Sequence, residues 1–215
     1  MRVSSSNHRL AITGLAVATL CITACGEVAR SGRSPAYLVI EALEGASGAK
    51  PSEFSTTVAS DVVTLVEQDI NGTKVRVPTV FGDLGRVTFR LGLKDPGPSS
   101  TPTTPGPLSD VTVNRYRVVF KRADGRNTQG VDVPYAFDGG FTVTVRGSGS
   151  TGAGFDLVRI AAKIEPPLAN LRGFGGAQFI GTIAEITFFG RDQAGNEVSA
   201  TGNMSVSFAD YGDPQ

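Results

Sequence analysis

Apolar and polar residues alternate along most of this chain, and a period of two builds strands rather than helices. Residues 86–93 put Val87, Phe89, Leu91 and Leu93 on one face and Arg86, Thr88 and Arg90 on the other. Phe141, Val143 and Val145 alternate with Thr142, Thr144 and Arg146, while Met204, Val206 and Phe208 share one face of residues 203–208. Further strands are expected at residues 37–43, 73–77, 111–122 and 179–189. A dry face backed by a wet one is the pattern of antiparallel sheets. The fold class expected is therefore all-β, an antiparallel two-sheet sandwich.

Turn residues punctuate these strands. Asn71-Gly72, Asp124-Gly125 and Asp138-Gly139 can supply the positive φ angles of tight hairpins. Gly195-Asn196 lies between the strand at residues 183–191 and the one at 204–208, and predicts a last hairpin. The stretch 156–164 fits both periods. Val158, Ile160, Ala162 and Ile164 suit a strand, and Leu157, Ile160, Ala161 and Ile164 suit a helix. Its β-branched content and the following Pro166-Pro167 favour a strand.

Residues 95–110, DPGPSSTPTTPGPLSD, are too rich in Pro, Ser, Thr and Gly to be anything but a long exposed loop or a linker. The segment before it, residues 37–94, is short for an independent sandwich and would struggle to cover its own edges. One domain over residues 36–215, with the loop as an excursion, is the preferred reading, and two domains the alternative.

The first 24 residues differ from the rest. Arg2 and Arg9 precede an apolar run, residues 10–22, of 13 residues. That is too short to span a bilayer, which takes ~20 residues, but it suits the core of a secretory leader. The run ends in Ile22-Thr23-Ala24-Cys25, which resembles the lipobox of bacterial lipoproteins. The resemblance implies that residues 1–24 are a signal peptide, that the Cys25 thiol carries diacylglyceryl, and that cleavage falls just before it. Several acyl chains hold a protein to a membrane almost permanently, at ~0.8 kcal/mol per buried methylene. Gram-negative members retained in the inner membrane tend to carry aspartate after the cysteine. Here Gly26 follows, so the resemblance implies export to the cell envelope and favours the outer membrane. Residues 25–35 read as a flexible tether.

Processing also sets the chemistry that remains. Of 20 basic and 20 acidic side chains, only Arg2 and Arg9 lie in residues 1–24, leaving 18 bases against 20 acids. The one histidine, His8, goes with them, and no tryptophan is present anywhere. A near-neutral chain of this kind argues against nucleic acid as a partner, which needs a concentrated basic surface. Histidine catalysis is excluded, and so is a cysteine nucleophile if the Cys25 thiol is acylated.

Residues 183–208, containing Gly190-Arg191-Asp192-Gln193-Ala194-Gly195-Asn196, are similar to the final hairpin of bacterial immunoglobulin-like and fibronectin type III-like modules. That resemblance implies an immunoglobulin-like sandwich used for adhesion or scaffolding. The Cys…Trp…Cys hallmark of antibody domains is absent.

Three constellations remain. Gly147-Ser148-Gly149-Ser150-Thr151-Gly152 matches G-x-G-x-x-G, with Glu165 near the place a dinucleotide site wants its acid. The preceding strand alternates with Thr142 and Thr144 instead of being apolar on both faces, so a hairpin loop is expected there. Asp132 with Asp138, Asp192 with Glu197, and Asp210 with Asp213 are neighbouring acids, but all sit where aspartate forms turns, and no catalytic residue is assigned. Calcium suits such acids better: Asp192, Asn196 and Glu197 share one turn, with Asp210 or Asp213 as further oxygens. Tyr135, Tyr211 and Phe174 are the aromatics expected on the surface, the residues a sugar would stack on. The chain is expected to be a non-enzymatic, membrane-anchored envelope lipoprotein that binds another envelope protein. A carbohydrate or small-ligand binder, with or without calcium, is the alternative.

Overall fold

The computed structural model describes residues 32–211. Residues 1–24, Cys25 and Asp213 lie outside the described residues. Ten strands run in the order β1 (Ala36–Ala46), β2 (Thr57–Asp61), β3 (Thr64–Ile70), β4 (Thr73–Thr79), β5 (Asp83–Leu93), β6 (Val111–Lys121), β7 (Phe137–Val145), β8 (Thr151–Val158), β9 (Phe179–Asp192) and β10 (Glu197–Ala209). A five-residue helix, α1 (Ile160–Ile164), follows β8. The protein is all-β, as the alternation predicts.

The strands form a three-stranded sheet, β1-β5-β8, a five-stranded sheet, β2-β10-β9-β6-β7, and a separate ribbon, β3-β4. The two larger sheets close on each other because their inner faces are the apolar halves of the alternating strands. Val87, Phe89 and Leu91 of β5 are at most 3% exposed, and Ile186 and Phe188 of β9 are fully covered. Phe89 meets Phe188 edge to face at 5.0 Å, and Phe120 meets Phe208 at 5.4 Å, the arrangement aromatic quadrupoles prefer. Burying one such phenylalanine stabilises the fold by roughly 2–3 kcal/mol. The outer residues of β5 pair with β1: Arg86 bonds Glu44 at 2.7 Å and Arg90 bonds Glu41 at 2.6 Å.

Several local expectations are met. Asn71 (φ 56°) and Gly72 (φ 81°) join β3 to β4 in a two-residue turn, with Ile70 opposite Thr73. Residues 193–196 join β9 to β10, which pair antiparallel from Glu197–Arg191 to Ala209–Phe179.

Four expectations are corrected. The pairing is not wholly antiparallel, because β2 lies parallel to β10, Thr57 beside Ser205 and Asp61 beside Ala209. Asp138-Gly139 is no turn: both lie in β7, where Gly139 faces Tyr116 and a Cβ would sit 2.2 Å from that ring. The stretch 156–164 is divided, its first three residues ending β8 and Ile160–Ile164 forming α1. Residues 147–150 do not close a hairpin. They carry the chain from β7 in one sheet to β8 in the other, and Thr151 and Gly152 already belong to β8.

The registers give the sandwich two distinct poles. At one, Ala36 pairs with Leu93, Val111 with Asp192, and Thr151 with Phe89. The chain enters there at Gly32 and Ser34, and residues 94–110, 146–150 and 193–196 cross there. At the other lie residues 47–56, the β3-β4 ribbon, residues 122–136, α1 and Tyr211.

Candidate functional site

Three strands facing five leave a flank of the sandwich incompletely covered. β8 is the last strand of its sheet and β7 the last of the sheet opposite. The inner side chains of β7 record the shortage: Phe141 and Val143 are only half-buried although they pack on the core.

One hydrogen bond spans the two sheets at this flank. Tyr116, on β6, is 3% exposed, and its hydroxyl accepts the backbone N–H of Asp156 on β8 at 3.1 Å. Burial raises the Tyr116 phenol above the ordinary tyrosine range, although the Asp156 N–H favours the phenolate. That hydrogen bond also sets the direction of the β8 backbone. Leu84 pairs with Asp156, and the Asp156 N–H points away from β5. In an antiparallel pair the outward groups recur at every second residue, so the N–H and C=O of Gly154 and Gly152 face the same open side.

These glycines are not imposed by packing. A Cβ on Gly152 would come no nearer than 3.9 Å to the Val87 carbonyl, and one on Gly154 no nearer than 3.9 Å to that of Gly85. Neither has a positive φ. Gly85 and Gly139 are different, since a Cβ there would sit 2.2 Å from the Phe155 and Tyr116 rings. The β8 edge is bare where nothing inside the protein demands it. Around it runs a trough of about 570 Å³, walled by Phe54, Leu84, Arg86 and Tyr116. The Arg86 guanidinium lies 4.5 Å from the centre of the Phe54 ring and braces that wall.

The acids expected to bind calcium are engaged with donors. Asp192, 4% exposed, accepts the Asn196 N–H at 2.8 Å, the Asn196 side-chain amide at 2.9 Å and the Ala194 N–H at 3.0 Å. Burial pushes its carboxyl up, but the bonds from Asn196, Ser34 and Ala194 outweigh it and hold the carboxyl below the usual aspartate range. Glu197 turns to Arg191 at 3.2 Å. Asp132 and Asp138 do not share a site: the first accepts the Thr128 N–H, and the second bridges Arg115 and Arg117 on β6. Asp210 accepts the Gly173 N–H. Among the described residues no group of three or more His, Cys, Asp or Glu is placed to hold a metal ion. Tyr135 and Phe174 are exposed, at 54% and 46%. Tyr211 lines a groove of about 720 Å³ with Leu65 and Val58, and Phe54 lines both that groove and the trough beside β8.

One buried site has no signal in the sequence. Lys163 of α1 is fully buried, and its ammonium reaches Asp83 Oδ1 and the Asp61 carbonyl, both at 2.7 Å. Asp83 also accepts the Ser60 hydroxyl at 2.5 Å and the Gly48 N–H at 2.8 Å. The node ties β2, β5, α1 and the 47–56 loop together at the pole away from Gly32 and Ser34. Its members stand far apart in the chain and match no spacing motif.

Comparison with protein-family models, with curated proteins and with solved structures finds no match to this chain.

Proposed function

We propose that this protein is an exported lipoprotein, cut before Cys25 and anchored by lipid on that residue, whose immunoglobulin-like sandwich binds another protein of the cell envelope. The observation that carries the interaction reading is the uncovered β8 flank, because an unpaired strand edge is a template for another chain. The strand partition supports the finer fold assignment. β1, β5 and β8 against β6, β9 and β10, with β7 added beside β6, parallels the immunoglobulin arrangement of A, B and E against C, F and G with C′. Polarity supports the anchored display, since the chain enters at one pole and the ribbon, α1 and the longer loops stand at the other. Binding rather than catalysis fits Asp132, Asp138, Asp192, Glu197 and Asp210, which accept turn amides or pair with arginine.

The test uses the full chain expressed in its native cells, where the partner is present. Metabolic labelling with an alkyne fatty acid is expected to mark the protein, and Cys25→Ser is expected to abolish the label and release the protein from the envelope fraction. Native electrophoresis after mild detergent extraction is expected to show the protein in a species larger than itself. Loss of neither label nor fractionation in Cys25→Ser refutes the anchor. A lone monomer refutes the interaction module.

One observation favours the small-ligand or glycan reading. Ser47 Oγ is buried without a hydrogen-bond partner on the 720 Å³ groove that also presents Lys50, Glu53 and Tyr211. Saturable binding of a soluble glycan that Ser47→Ala weakens would support it.

A further inference from the structure

We infer that the bare edge of β8 is the docking site of an extended strand from the partner protein, which adds beside Gly152 and Gly154 as a fourth strand of the β1-β5-β8 sheet. This deepens the interaction reading and rests on it. Three features specify the occupant. The outward N–H and C=O groups of Gly152 and Gly154 need donors and acceptors at strand spacing, which an extended backbone supplies and an apolar surface or a lipid does not. Phe141 and Val143 are half-buried on the strand facing that position, so the incoming strand presents apolar side chains at every second residue. The two glycines leave the outer face of the edge without side chains, so a bulky residue of the incoming strand, aromatic above all, can lie across them against Leu84 and Phe54. Charge does little to protect the edge: Asp156 is the only ionisable residue of β8.

A second copy of this chain fits poorly. Its own β8 edge presents Gly152, Gly154 and Asp156 outward, so it brings no bulky side chain to lie across the two glycines.

The experiment places a photo-crosslinking benzophenone side chain at position 152 of the full-length lipoprotein in living cells, with position 201, exposed on β10 of the opposite sheet, as the control. One adduct is expected from position 152 and none from 201, and mass spectrometry is expected to map it to an alternately apolar segment of another protein. Gly154→Pro removes an edge N–H while leaving the ladder to β5 intact, a replacement an edge strand tolerates. It is expected to reduce the adduct at least about tenfold with the melting temperature close to that of the parent. If Gly154→Pro does not fold, Gly154→Lys puts a charge on the exposed face of the same edge, where a side chain meets only ordinary contacts, and is expected to reduce the adduct likewise. An adduct with a second copy, with glycan or with lipid overturns the inference, as does no adduct or one that these variants leave unchanged. A larger native species without a β8 adduct defeats this site alone, whereas a lone monomer defeats the interaction reading as well.

Discussion

The ammonium of Lys163 lies 2.7 Å from Oδ1 of Asp83, and both side chains are at most 1% exposed. Two charges so placed cost much to desolvate, and the bonds from Ser60 and Gly48 complete the carboxylate's coordination. The pair pins a helix of one turn, α1, to the ends of β2 and β5.

Removing one partner leaves the other buried and unpaired. Lys163→Met is expected to cost roughly 3–5 kcal/mol, read as a lower midpoint in urea denaturation. Replacing both, as Lys163→Met with Asp83→Leu, is expected to recover a large part of that loss. A single variant as stable as the parent would show that the pair is not formed in solution.

Tyr116→Phe keeps the ring over Gly139 and deletes the hydroxyl that caps the Asp156 N–H. The cost expected is about 1 kcal/mol, with faster hydrogen exchange at Asp156 and unchanged exchange in β9. The raised Tyr116 phenol also has a pH consequence. A folded value above the unfolded one means that its contribution is complete below the unfolded tyrosine value of ~10 and lost as pH rises through the folded one. Absorbance titration of the phenolate band is expected to show a late-ionising tyrosine in the parent and not in Tyr116→Phe.

Asp192 works in the opposite direction. Its carboxyl is held below the usual aspartate range, so its stabilisation is present above the unfolded value of ~3.9 and lost as pH falls through the folded one. Asp192→Ala is expected to destabilise the protein at neutral pH and to converge with the parent at the acid end of that window. A parent–variant difference constant from pH 7 to pH 2 would contradict the assignment.

The glycines of the flank are expected to divide by mutation. Gly85→Ala and Gly139→Ala drive a methyl into the Phe155 and Tyr116 rings and are expected to cost about 1–3 kcal/mol. Gly154→Ala and Gly152→Ala meet only ordinary contacts and are expected to stay within about 0.5 kcal/mol of the parent. Equal losses at all four positions, measured by thermal unfolding, would mean that the β8 edge is packed after all.

Much of the architecture was readable because alternation reports locally on which side of a strand is wet. Val87, Phe89 and Leu91 announce the inner face of β5 without reference to any partner, and Asn71-Gly72 announces its turn because few other residues accept those φ angles. The same locality misleads at Asp138-Gly139. Its turn chemistry is overridden by Tyr116, a residue more than twenty positions away whose ring requires a glycine beneath it. It misleads again in the stretch 156–164, where the strand gives way to a helix whose lysine is drawn into the protein by Asp83.

The sequence by itself determined that this chain makes β-strands, that hairpins turn at Asn71-Gly72 and Gly195-Asn196, and that the segment ending at Cys25 resembles a lipoprotein leader. Those properties depend on neighbours a few residues apart. Only the tertiary structure decided that β2 runs parallel to β10, that Asp61 receives the N–H of Tyr211 from 150 positions away, and that Lys163 is buried on Asp83. It alone decided that three strands face five and leave the β8 edge open. Which backbone edges find partners is settled by contacts between distant segments, and the side-chain pattern along one strand carries no record of what lies beside it.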